Sequence, residues 1–181
     1  MTTDTLPPGF AVKIATVMPS DAGDQRPGVD VSCSNSMIPL LSATRLTGTP
    51  SAMAAATLSY DADPDRFWVG TEVLRTYADG GARRAMTDLR TFIGRCPTVA
   101  SSRFGNRYRY AVAPGPQFGD DSIHVSCSMT SGSDTLESDS ILVRIGTALV
   151  VVQDTGSEPG GDKYLTQLAE AAVRRFQATG S

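Results

Sequence analysis

The chain reads as an α+β fold: an antiparallel β-sheet, built largely by a C-terminal meander, packed by two main amphipathic helices. Three observations predict it. Arg107 to Gln153 carries four alternating or apolar stretches in succession, separated by turn residues. Asp162 to Gln177 repeats apolar residues at three- and four-residue steps, and Asp79 to Arg95 does the same in the first half.

The elements follow in order. Thr2 to Gly9 is polar and holds two prolines, so residues 1–9 are expected to form a flexible lead, with residues 10–181 as a single α+β domain. Phe10 to Val17 alternates, with Phe10, Val12 and Ile14 on one face, and predicts a strand. Pro19 to Gly28 is turn-rich and reads as a loop. Val29 to Cys33 predicts a short strand. Met37 to Leu46 predicts a short helix, with Pro39 in its first turn and Asn35 or Ser36 as its cap.

Ala52 to Tyr60 is balanced between two forms. Its opening alanines favour helix, whereas Thr57-Leu58-Ser59-Tyr60 alternates; a strand is the reading adopted. Phe67 to Tyr77 sorts Val69, Val73 and Arg75 to one face and Trp68, Glu72 and Leu74 to the other, a strand with both faces partly covered. In the helix over Asp79 to Arg95, Asp79 is a candidate cap. Ala82, Ala85, Met86, Leu89, Phe92 and Ile93 form the apolar stripe, and Gly94 and Pro97 end it.

In the meander, Tyr108, Tyr110 and Val112 share a face, as do Ile123, Val125, Cys127 and Met129. Ser131 to Asp134 and Gly146-Thr147 are turns. Ala148 to Gln153 is almost wholly apolar and is expected at the centre of the sheet. Leu165, Leu168, Ala169, Ala172 and Phe176 form the core stripe of the last helix, Asp162 is its candidate cap, and Arg174 and Arg175 suit its C-terminal end.

Composition narrows the function. With 16 basic against 19 acidic residues and a pI near 5.1, the chain lacks the clustered basic face of a nucleic-acid binder. No apolar run is long enough to span a bilayer, and Met1 to Gly9 lacks the basic and apolar regions of a signal peptide. The three cysteines form no CxxC pair. They are compatible with one disulfide and a buried thiol in an exported domain, or with three buried thiols in a cytosolic one.

Catalytic machinery is not visible. The only histidine, His124, alternates with the core-facing set and reads as a surface or half-buried side chain. Phosphate-loop, nucleophile-elbow and dinucleotide signatures are missing. Asp61-x-Asp63-x-Asp65 matches the start of a calcium loop, but Arg66 stands where that loop needs glycine. No enzyme activity, metal or cofactor is therefore expected.

The order of features resembles the actinobacterial PknH-like extracellular sensor domains of receptor Ser/Thr kinases and their stand-alone lipoprotein relatives. An early Cys33 and the aromatic-bearing strand Phe67 to Tyr77 come first. The helix opening Asp79-Gly80-Gly81-Ala82-Arg83-Arg84-Ala85 and ending at Cys96 is next. Arg144-Ile145-Gly146-Thr147-Ala148-Leu149-Val150-Val151-Val152 and Leu168-Ala169-Glu170-Ala171-Ala172-Val173 close the chain. The likeness covers most of Val29 to Phe176. It implies an α+β sandwich outside the membrane, without enzymatic activity, holding a ligand cleft. It also implies a Cys33–Cys96 disulfide. A second disulfide of that family, in the final hairpin, has no counterpart here, where Ser140 and Gln153 or Asp154 stand.

The reading that follows is an exported sensor-type or lipoprotein-type domain that binds a small ligand or cell-envelope component. Its cleft is expected where the Phe67 to Tyr77 strand meets the meander, lined by Trp68, Glu72, Tyr108 and Tyr110. These side chains join apolar bodies to polar tips, as pocket residues do. Core packing is the competing explanation for each of them. The alternative function is a cytoplasmic protein-interaction domain without disulfides, dimeric through an exposed sheet edge.

Overall fold

A computed structural model of the chain describes residues 5–18, 33, 48–61, 68–101, 105–154 and 161–179. The loop, short strand and short helix expected between Pro19 and Leu46 lie outside these residues, apart from Cys33. So do Asp63, Asp65 and Phe67.

The described residues form strands β1 (Phe10–Met18), β2 (Ala52–Tyr60) and β3 (Trp68–Thr76), helix α1 (Gly81–Arg95), then β4 (Thr98–Ala100), β5 (Arg107–Pro114), β6 (Asp121–Ser131), β7 (Asp134–Ile145) and β8 (Ala148–Asp154), and finally helix α2 (Gly161–Thr179). The eight strands make one sheet in the order β1-β2-β3-β8-β7-β6-β5-β4. Every neighbouring pair is antiparallel. The alanine-led stretch is a strand throughout its length: Ala52 pairs with Thr76 and Tyr60 with Trp68. Long-range pairing on both sides overrides the helical propensity of alanine.

β8 lies at the centre, as its apolar run predicts, with Val151 between Val73 of β3 and Leu142 of β7. Its side chains alternate between two cores. Leu149 and Val151 join Val73, Leu142, Ile123 and Val125 beneath Met86, Leu89, Phe92 and Ile93 of α1. Val150 and Val152 join Ile141, Val143 and Leu58 beneath Leu165, Leu168, Ala169 and Ala172 of α2. The two helices thus cover opposite faces, each contributing the apolar stripe that its periodicity predicts, except that Phe176 of α2 is half-buried and lies outside the core. A fully buried Leu or Phe on such a stripe contributes about 1.5–3 kcal/mol.

Asp79 does not cap α1. The N-cap is Gly80, held at φ 71° with no side-chain cap bond, a left-handed backbone that glycine adopts without Cβ strain. At the other end Cys96 is the C-cap and its N–H donates to the carbonyl of Phe92. Cys96 is joined to Cys33 in a disulfide, with the Cα atoms 5.5 Å apart. The side chain of Asp162 is outside the described residues. Within the N-terminal lead, Leu6 packs on the α2 core, and the carbonyl of Thr5 accepts a hydrogen bond from Arg175 at 2.8 Å.

Candidate functional site

α2 packs on β7 and β8, with Tyr164 of its first turn against Phe10, Tyr60 and Trp68. Its first turns are wedged on the sheet by Leu165 and Leu168, both fully buried. Farther along, Arg175 and Phe176 are only half-buried and Ala178 is exposed. Below that end the sheet presents Ala54 and Ala56 of β2 and Ala15 of β1. Side chains this short do not reach the helix, whereas protein interiors are normally filled. The result is a groove of about 610 Å³ between α2 and strands β1 to β3. That volume falls within the range of small-molecule sites. Leu74, Val150 and Phe176 add apolar walls, and Val17, 82% exposed, stands at the rim.

Among the described residues that line it, the groove has one charged feature, an ion pair. Glu72, at the middle of β3, accepts a hydrogen bond from the guanidinium of Arg175 at 2.6 Å. The Glu72 side chain is only 8% exposed and that of Arg175 19%. Burial raises the Glu72 carboxyl above the ordinary glutamate range, and Arg175 offsets part of that rise. The outer face of a strand is usually solvated, yet here the C-terminal end of α2 closes over Glu72 and supplies its counter-charge.

The four side chains expected to line one cleft are divided between the two faces of the sheet. Trp68 shares the α2 face with Glu72. It is 2% exposed and packs edge-on against Phe10, in an aromatic cluster that also holds Tyr60 and Tyr164. Tyr108 and Tyr110 are stacked with centroids 6.3 Å apart and pack against the α1 core. The physical reason is the strand order: β3 meets the meander at β8, and β7 and β6 intervene before β5. Strand alternation then places the tyrosines on the other side. Of the four, Glu72 lines the groove.

Tyr110 faces its cross-strand partner Cys127, and burial raises both the phenol and the thiol above their ordinary ranges. His124 contacts Asp139 at 2.9 Å, and the Asp139 N–H donates to Asp154 at 2.9 Å. Among the described residues, no cluster of three or more histidine, cysteine, aspartate or glutamate side chains is placed to hold a metal.

Sequence reasoning missed Arg175 as a site residue and the alanines as a cavity floor. In the sequence Arg175 reads as a favourable charge near a helix C-terminus. The one available signal for the floor was the Ala54-Ala55-Ala56 run, informative only once it is known to be a strand.

No family model matches the chain, and no curated protein matches it. Among solved structures it is similar to the extracellular domain of PknH from Mycobacterium tuberculosis, with a TM-score of 0.56 and 14% identity over 94% of this chain and 86% of that one. At that identity the likeness concerns the fold alone. No described helix is long and apolar enough to cross a membrane.

Proposed function

We propose that residues 10–181 form a non-enzymatic, exported sensor-type domain that takes a small ligand or cell-envelope component into the groove beneath α2. The observation that carries this reading is the groove itself: an alanine-floored apolar space with a single buried ion pair, Glu72–Arg175, in its wall. An apolar cavity with few polar groups is the usual form of a ligand site. The likeness to an extracellular domain and the Cys33–Cys96 bond support the exported setting, since such bonds persist in oxidising compartments.

The reading is tested by titrating the oxidised protein with an apolar fluorescent probe, beside an Ala56→Phe variant that fills the floor. Saturable binding to the parent chain, lost in a variant that still unfolds cooperatively, is the expected result. Equal binding to both proteins removes the groove as the site. Three free thiols in protein recovered from its own compartment would instead favour the cytoplasmic interaction module.

A further inference from the structure

Resting on the reading of the groove as a ligand site, we infer that its occupant is a single-chain lipid whose headgroup is uncharged and both donates and accepts hydrogen bonds, as the glycerol of a monoacylglycerol does. The chain follows from the walls. Ala54, Ala56, Leu74, Val150 and Phe176 offer hydrocarbon, so each methylene brought out of water tightens binding by about fourfold.

The headgroup follows from Glu72 and Arg175. Both line the groove, their contact is 2.6 Å, and together they are electrically neutral. An anionic headgroup that reaches Arg175 also lies beside Glu72, and two adjacent carboxylates do not both ionise readily. A cationic headgroup meets the guanidinium. Pulling either partner away from the other leaves a buried charge without its mate. A hydroxyl avoids all three penalties. Among the described residues Arg175 donates to Glu72 and to the Thr5 carbonyl, so N–H donors of the guanidinium remain for the hydroxyl oxygen. The hydroxyl proton goes to the carboxylate, which has acceptor capacity beyond its bond to Arg175. The ion pair stays intact while the headgroup is held at both its oxygen and its hydrogen.

The test is a competition assay on the full oxidised chain, near neutral pH and below micelle formation. It uses monolauroylglycerol, laurate, lauryl trimethylammonium and dodecane as probes. The glycerol ester is expected to bind tightest, with laurate and the ammonium weaker by about tenfold or more. Glu72→Gln leaves Arg175 without its counter-charge and is expected to reverse the order in favour of laurate. Laurate or the ammonium matching the glycerol ester on the parent chain overturns the headgroup assignment while the groove remains a ligand site. Failure of all four probes, dodecane included, overturns the groove reading itself. An unchanged order in a folded Glu72→Gln protein also overturns the assignment. If that variant does not fold, the ranking on the parent chain decides alone.

Discussion

The indole of Trp68 lies across the backbone of Gly70: a Cβ at Gly70 would collide with Trp68 Cη2 and stand 2.8 Å from the carbonyl oxygen of Gln153. Neither neighbour can yield cheaply. The ring is 2% exposed among aromatic side chains, and the oxygen belongs to the adjacent central strand. Gly70→Ala is therefore expected to destabilise the protein by about 1–3 kcal/mol through overpacking. Denaturant unfolding measures the loss. As Trp68 is the only tryptophan, its fluorescence reports the displaced ring directly. An alanine variant with unchanged stability and spectrum would mean that the ring does not occupy this place.

Arg175→Met removes the counter-charge of a nearly buried Glu72. A loss of about 3 kcal/mol is expected, because the remaining carboxylate is stranded. The double variant Glu72→Leu/Arg175→Met is expected to recover most of it, as apolar replacement of both partners leaves no charge behind. Stabilities of the two single variants and the double variant form the cycle. Additive losses would show that the two side chains do not depend on each other.

The same carboxyl makes a pH prediction. Burial holds the folded-state titration of Glu72 above that of the unfolded chain. Between those two values the folded state binds the extra proton, so the Glu72 contribution favours folding on the acid side and diminishes as pH rises through the window. Glu72→Gln is expected to flatten that part of the pH–stability curve, which denaturation midpoints at a series of mildly acidic pH values will measure.

Asp121 behaves in the opposite sense. Arg90 of α1 grips it with two hydrogen bonds, at 3.0 and 2.7 Å, and holds its carboxyl below the ordinary aspartate range. This contact stabilises the fold above the ordinary value and is lost as pH falls through the lowered one. Arg90→Met is expected to return the Asp121 titration toward the ordinary range, seen by NMR. The cost at neutral pH should be at most about 1 kcal/mol, since both side chains are a third or so exposed.

Reduction of Cys33–Cys96, whose partners are 63 residues apart in sequence, is expected to cost about 4 kcal/mol by loop entropy. For a chain of this length that corresponds to roughly 10 °C in melting temperature. Thermal melts with and without reductant, checked by non-reducing peptide mapping, give the answer. No change in melting would show that the bond does not constrain the unfolded chain.

The parts of the fold legible in sequence were those decided locally. Alternation in Tyr108-x-Tyr110-x-Val112 and the apolar steps of α1 and α2 each identify a buried face within one element. The central place of β8 was legible because a strand apolar on both sides needs two covers. The position of β3 beside β8 has no local signature. That relationship governs the candidate site: it separates Trp68 and Glu72 from Tyr108 and Tyr110, and it brings Glu72 under Arg175. The groove was illegible for a related reason. An alanine marks an empty space only when the element across from it is known, and Ala56 is faced by the far end of a helix more than a hundred residues later in the chain.

The β3–β8 pairing also has a kinetic meaning. β1–β2–β3 and β4 through β8 are each joined by contacts between strands that follow one another, apart from the helix between β3 and β4. Among the described residues, only the pairing from Gly70–Asp154 to Thr76–Ala148 joins the first set to the second. Closing it requires the chain to bring together segments separated by α1 and four strands, the costliest loop closure in the sheet. The β3–β8 pairing is therefore expected to form late, and substitutions that weaken it should slow folding less than they speed unfolding.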